Sequence, residues 1–428
     1  MPTRSNFLRA TLVGIALTMV AKTAAAEGTV DSGDTAWMIT ATALVLLMTL
    51  PGLALFYGGL VRTKNLLSIL MQCLISAGMI GVMWVLVGYS LAFGEGNAFI
   101  GDSSMFGLAG ITPDSVYGTI PTYVFVMFQG MFAIITPALM LGAFAERMRF
   151  SVYTVFILIW VLLVYIPLCH MVWGGGYLGA TLGALDFAGG LVVHMSSGFS
   201  ALVAAIYLGP RLGHGKEVMQ PNNLPLTVIG ASLLWVGWFG FNAGSQLAAD
   251  GTTGLAFINT QTAAATTTLV WILVEWVHRG KPTVLGAATG AVAGLVAITP
   301  ACAFVTPMGA IGIGVGAGLL CYAAVTLLKP ALGYDDSLDV FGVHGVGGAW
   351  GALATGLFLA DFALVDGVSQ GAQIVKQITS IGITAVFASV MTIAILFVLK
   401  LVMGDLRVSQ EDESQGLDLT QHSESAYS

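Results

Sequence analysis

The sequence predicts an all-α integral membrane protein of eleven transmembrane helices: two inverted five-helix repeats plus one long C-terminal helix, N-terminus outside, C-terminus cytoplasmic. Three observations lead there. Only 9% of the 428 residues are charged against 57% hydrophobic, and the mean hydropathy is +0.89, whereas a soluble domain carries about 25% charged residues. Apolar stretches of roughly 20 residues recur along the chain, long enough at about 1.5 Å per residue to cross about 30 Å of hydrocarbon. Cationic residues, finally, fall in alternate loops between those stretches.

Residues 1–26 differ in kind from the rest. Arg4 and Arg9 precede a short apolar run from Ala10 to Ala21, and Ala24-Ala25-Ala26 offers a small-residue cleavage site, the pattern of a cleavable signal peptide. Its removal takes Arg4, Arg9 and Lys22 from the 15 basic residues and leaves 12 against 22 acidic ones, a balance that argues against nucleic acid as a partner. Cys73, Cys169, Cys302 and Cys321 lie in or beside apolar runs without CxxC spacing, so neither a metal site nor a disulfide framework is expected.

The transmembrane domain, 27–403, divides into spans at about 35–60, 65–93, 121–145, 151–170, 188–209, 224–245, 255–278, 283–301, 308–329, 339–360 and 372–403. The first repeat covers about 35–209 and the second about 224–360. An odd number of spans puts the two termini on opposite sides. Lysines and arginines are retained on the cytoplasmic side, and Arg62, Lys64, Arg147, Arg149, Arg211, Lys216, Arg279, Lys281 and Lys329 all follow odd-numbered spans. Lys376 is the exception, explained by a snorkelling side chain. The duplication rests on the fifth and tenth spans, where Asp186 through His194 resembles Asp339 through His344 and a glycine-rich run follows each. An odd-numbered repeat inverts the second half, and transporters built this way place their site between the halves. Residues 404–428 are polar and acidic, a cytoplasmic tail expected to be solvated and disordered, or else to dock a regulator.

Two histidines, His194 and His344, fall inside spans, where an ionisable group is costly and points to function. Entering from opposite sides, they approach each other near mid-membrane. Neutral imidazoles offer one donor and one acceptor each, suiting a small polar solute or a proton relay; haem ligation would need further facing histidines that the spans lack. The sixth span carries Trp238, Phe241 and Ser245 at helical spacing, the third Phe128 and Phe132, and the end of the fourth Trp173. If Trp173, Phe132 and Ser245 converge, they make a cation vestibule of ring faces and a hydroxyl. Asp186 reads as a helix-capping carboxylate.

Pro51 to Gly59, Phe128 to Phe132, Ala145 to Arg147, His170 to Gly176, Asp186 to Gly190, Trp238 to Ser245 and Val340 to Gly345 together resemble the ammonium transporter family (Amt/Mep/Rh), nearest its bacterial AmtB branch. The resemblance implies a homotrimer in the inner membrane with one pore per subunit, no cofactor and no enzymatic activity. It assigns Trp173, Phe132 and Ser245 to the ammonium site, Phe132 and Phe241 to a gate, His194 and His344 to the pore, Asp186 to structural support and the tail to a PII signalling protein. Ammonium would shed its proton and cross as ammonia. An ammonium sensor acting through its tail and a neutral gas channel are the alternatives.

Overall fold

The computed structural model describes residues 28–427, so the expected signal peptide lies outside the described residues. Every one of the eleven expected spans coincides with a helical segment. Nine are long and apolar enough to cross a membrane: α1 Ser32–Gly58, α2 Thr63–Phe93, α3 Thr122–Phe144, α4 Phe150–Thr181, α5 Gly190–Leu208, α6 Leu224–Gly244, α7 Gly251–Arg279, α9 Pro307–Leu332 and α11 Gln370–Met403. Two shorter helices, α8 Val284–Ile298 and α10 over 341–357, stand among them.

Helices at equivalent places in the two expected halves pack against each other. The first helices of the two halves, α1 and α6, lie against each other, and so do the fifth, α5 and α10. The start of α5 meets the later part of α10 while the start of α10 meets the later part of α5, so the two run antiparallel. Small residues let them approach. Four residues after His194, Gly198 has no room for a Cβ against the backbone of Gly345, and four residues after His344, Gly348 would bring a Cβ within 3.0 Å of the Gly190 carbonyl and 3.1 Å of the His194 side chain. The last helix, α11, packs against both α5 and α10.

The internal alignment expected from sequence is shifted by the structure. The counterpart of Asp186 is Asp336, not Asp339: each stands eight residues before its histidine, and each carboxylate accepts backbone N–H groups at the start of its helix. Asp339 corresponds instead to Gly189, five residues before the histidine. Both adopt positive φ, 56° and 116°, and the Asp339 carboxylate turns to Lys329 at 2.5 Å.

The tail is another correction, for it is folded rather than disordered. Short helices α12 Gln410–Gln415 and α13 Leu417–His422 bury Glu413, Leu417 and Asp418. Asp418 caps α2 by accepting from Leu67 N at 3.0 Å and Ser68 N at 2.8 Å. Leu417 N donates to Asn65, Lys64 donates to the Ser414 carbonyl, and Glu413 takes Arg407 at 2.7 Å and Leu212 N. Acidic composition suggested solvation. What it supplies is partners for exposed N–H groups and arginines.

Arg62, Arg147 and Arg211, which follow the first, third and fifth helices, gather on this same tail face around two buried carboxylates. Arg62 pairs with Glu146 at 2.6 Å, Arg147 with Asp335 at 2.8 Å, and Arg211 with Asp335 at 2.9 Å and Glu146 at 3.4 Å.

Candidate functional site

The site is built where α5 and α10 cross. Each begins with a π-helical turn, Gly190–Met195 and Phe341–Gly345, and each histidine lies in that turn. Asp186 fixes the start of α5 by accepting from the N–H groups of Gly189, Gly190, Leu191 and Val192 at 2.6–3.2 Å, which satisfies the orphan donors of that terminus. Its backbone carbonyl accepts from the Trp173 indole at 2.8 Å. Thus one residue sets both a histidine helix and the tryptophan above it.

Trp173 stands at an opening in α4, where Gly174-Gly175-Gly176 interrupt the helix. From its indole a column of rings leads inward. Phe132 lies edge-on to Trp173 with centroids 6.0 Å apart, and Phe241 stacks on Phe132 at 4.1 Å and 26°. His194 follows Phe241 at 6.0 Å, and His344 follows His194 at 5.3 Å. The expected gate pair is therefore in contact, directly above the histidines. Ser245 is one turn from Phe241 and donates its hydroxyl to the Phe241 carbonyl at 2.9 Å, so its oxygen lone pairs stay free to accept. Phe128 completes this end, 5.0 Å from Phe132 and against Gly244.

The histidines face each other through their Nδ1 atoms at 3.2 Å. One Nδ1 must donate and the other accept, so the two neutral rings hold opposite tautomers. Their Nε2 atoms then differ: one is a bare acceptor, the other an N–H donor. His194 Nε2 has no hydrogen-bond partner among the described residues. Both rings line a narrow cavity whose other walls are apolar, among them Leu53, Ile135, Val193 and Val292. Such a lumen accepts a small molecule that can both donate and accept one hydrogen bond. It offers nothing to replace the hydration shell of an ion. Among the described residues no group of three or more His, Cys, Asp or Glu is arranged to hold a metal ion.

Sequence reasoning placed Trp238 on the Phe241 face but missed its task. Its indole stacks on His194, centroids 5.4 Å apart, and donates to Thr299 at 2.9 Å. Thr299 itself was not singled out, although a signal existed: Ile135-Thr136-Pro137-Ala138 in α3 recurs as Ile298-Thr299-Pro300-Ala301 after α8, five helices later.

The chain matches the family model described as Ammonium Transporter Family over residues 36–427. It is 51% identical over 402 residues to an ammonium transporter of Bacillus subtilis, covering 92% of this chain and 98% of that one. To an ammonium transporter of Aquifex aeolicus it is 46% identical over 424 residues, covering 97% and 98%. Among solved structures, Candida albicans Mep2 superimposes with a TM-score of 0.83 at 38% identity, covering 90% of this chain and 88% of that one.

Proposed function

This chain belongs to the ammonium transporter family and transports ammonium across a membrane, and from that premise we propose how its residues do so. Ammonium is recruited by the Trp173 and Phe132 rings together with the Ser245 oxygen. The ring faces attract a small cation by about 0.5–2 kcal/mol, and the hydroxyl oxygen accepts one of its N–H bonds. Passage beyond the Phe132–Phe241 stack costs an unpaired cation far more than those contacts return. Ammonium therefore gives its proton to water on the vestibule side, the N–H bond breaking as hydronium forms, and continues as ammonia. Ammonia accepts from the Nε2–H of one histidine and donates to the bare Nε2 of the other. Potassium, with no proton to shed, stops at the gate.

The wider setting follows the same reading. The protein crosses the inner membrane eleven times, with residues 1–26 removed as a signal peptide, the vestibule outside and the tail in the cytoplasm. It is a transporter rather than an enzyme. Three copies form a homotrimer with a pore in each, and a PII-type signalling protein docks at the tail face.

The observation that carries the mechanism is the unbroken ring column from Trp173 to His344, ending on two imidazoles already bonded to each other. Proteoliposomes test it. Ammonium-evoked flux should fall in His194→Ala and His344→Ala, with potassium beginning to compete. Wild-type flux and ion selectivity in the double variant would exclude the histidines as the path.

A further inference from the structure

The recurring Ile-Thr-Pro-Ala segment does different work in the two halves. In α3 the helix continues to Leu139 beyond Pro137, and the Thr136 hydroxyl donates to the Phe132 carbonyl at 2.6 Å. In the second half, α8 ends at Ile298 and Thr299 caps it. The Thr299 hydroxyl donates to the Leu295 carbonyl at 2.7 Å, which aims its oxygen lone pairs away from that helix, and the Trp238 indole N–H donates to this oxygen at 2.9 Å. Both groups are buried. The next residue reaches the other side of His194: the Pro300 carbonyl accepts from Phe187 N at 3.1 Å, and the Pro300 ring fills the space where a Cβ on Gly190 would come within 2.5 Å.

One corner of the second half thus holds the indole on which His194 stacks and the first turn of the helix that carries it. We propose that Thr299 is a positioning residue for His194, setting the width of the pore through Trp238 and so its preference for ammonia over a larger amine. The physical reason lies in the indole donor. A buried N–H that loses its acceptor must turn or take up water, and either movement slackens the wall against His194. Trp238 is also 5.6 Å from Phe241, so a shifted indole loosens the wall just beneath the gate.

This inference rests on His194 lining the path, and the experiment separates the two claims. Ammonium and methylammonium uptake into proteoliposomes is measured per folded protein for wild type, Thr299→Val, Thr299→Ser, His194→Ala, Trp238→Phe and the Trp238→Phe/Thr299→Val double variant. Thr299→Val keeps the shape but loses the acceptor. It should lower maximal ammonium flux by about threefold to tenfold, as expected for one buried hydrogen bond, leave half-saturation unchanged and raise methylammonium uptake relative to ammonium. Thr299→Ser keeps the oxygen and should match wild type. In the Trp238→Phe background, where the donor is gone, Thr299→Val should add nothing.

Thr299→Val with wild-type flux and amine preference, Thr299→Ser as impaired as Thr299→Val, or additive loss in the double variant each overturns the proposal. If Thr299→Val does not fold, Thr299→Ala removes the same oxygen without β-branching and carries the same expectation. His194→Ala with wild-type transport would instead sink the reading of the pore itself.

Discussion

At the start of α5 four backbone N–H groups close on the Asp186 carboxylate, whereas at the start of α10 the equivalent Asp336 accepts from Phe341 N at 2.8 Å and leaves Oδ1 without a partner among the described residues. The contrast extends beyond the two caps. Around Asp186 and Trp173 the structure is held by neutral donors, ring contacts and one capping carboxylate. Every ion pair among the described residues lies instead on the tail face, where Arg62, Arg147, Arg211, Lys329 and Arg407 meet Glu146, Asp335, Asp339 and Glu413. Under the proposed mechanism the vestibule admits a small cation through ring faces and a hydroxyl, and fixed arginines beside it would repel that guest at short range. The tail face, which carries no such site, is free to use ion pairs as ties. The two halves share a scaffold and differ in the chemistry of its anchorage.

The crossing itself is the strongest place to break this symmetry. Gly198→Ala puts a methyl into the backbone of Gly345, which cannot yield without separating α5 from α10. Overpacking of that kind costs about 1–3 kcal/mol or more, and here it also parts the histidines. Ammonium flux should fall to background and the unfolding temperature should drop. Gly348→Ala meets its neighbours at 3.0–3.1 Å and should keep measurable flux. Equal damage at both positions would show that the crossing is not the constraint.

The caps come next. Asp186→Asn replaces one accepting oxygen by an NH₂ that confronts two N–H donors, losing charge-assisted bonds worth about 1.5–3 kcal/mol each. A loss of roughly 3 kcal/mol and of most transport is expected, because Trp173 is held by the same residue. Asp336→Asn keeps an oxygen for Phe341 and puts its NH₂ where no donor points, so a cost near about 1 kcal/mol is expected. Thermal unfolding in detergent, with flux measured in parallel, orders the two. The reverse order would mean that the unpartnered oxygen of Asp336 matters more than the four bonds of Asp186.

Much of this was legible in the residues. Helix positions followed from apolar length, because a helix satisfies every backbone group within one apolar segment, as lipid requires. His194, His344, Trp173, Phe132, Phe241 and Ser245 stood out through cost or spacing. The match of Asp186 to Asp339 failed because aspartate signals a cap only when backbone donors are present, and sequence does not show which of three neighbouring aspartates, Asp335, Asp336 and Asp339, receives them. The tail was misjudged for a related reason. Composition reports a lack of apolar core, but Asp418 and Glu413 are ordered by the N–H groups and arginines of distant loops. Thr299 escaped because its importance lies in one indole 61 residues away.

Acid provides a third test, specific to the tail face. Burial opposes ionisation of Asp335, but the hydrogen bonds and charge of Arg211, with the charge of Arg147, outweigh it and hold this carboxyl well below the usual range. A depressed folded value contributes stability that is fully present above the unfolded value, near about 4, and is lost as pH falls through the folded value. Local opening at 145–149 and 209–212, read from hydrogen exchange after correction for its intrinsic pH dependence, should therefore stay constant from neutral pH down to about 4. It should rise only in stronger acid. Arg211→Met should move that rise toward neutral pH, since it removes the partner that lowers Asp335 most. Loss of protection already at mildly acidic pH in the wild type would show that the arginines do not anchor this end.

The smallest effect expected is at the junction of tail and helix. Asp418 offers two oxygens to Leu67 N and Ser68 N at the start of α2, a cap supplied by a residue about 350 positions away. Replacing a capping aspartate by alanine costs about 0.5–2 kcal/mol. Here the cost falls on docking of the tail rather than on the fold, because α2 remains packed against α3 and α4. Asp418→Ala should raise protease cleavage within 410–427 by about tenfold, the ratio that 1.4 kcal/mol sets, while the unfolding temperature of the helical domain stays put. Asp418→Asn keeps one acceptor and should fall between. If the alanine variant instead lowered the stability of the whole domain as much as Asp186→Asn does, the tail would be a structural half-partner of the vestibule rather than a separable tie, and the contrast between the two faces would have to be redrawn.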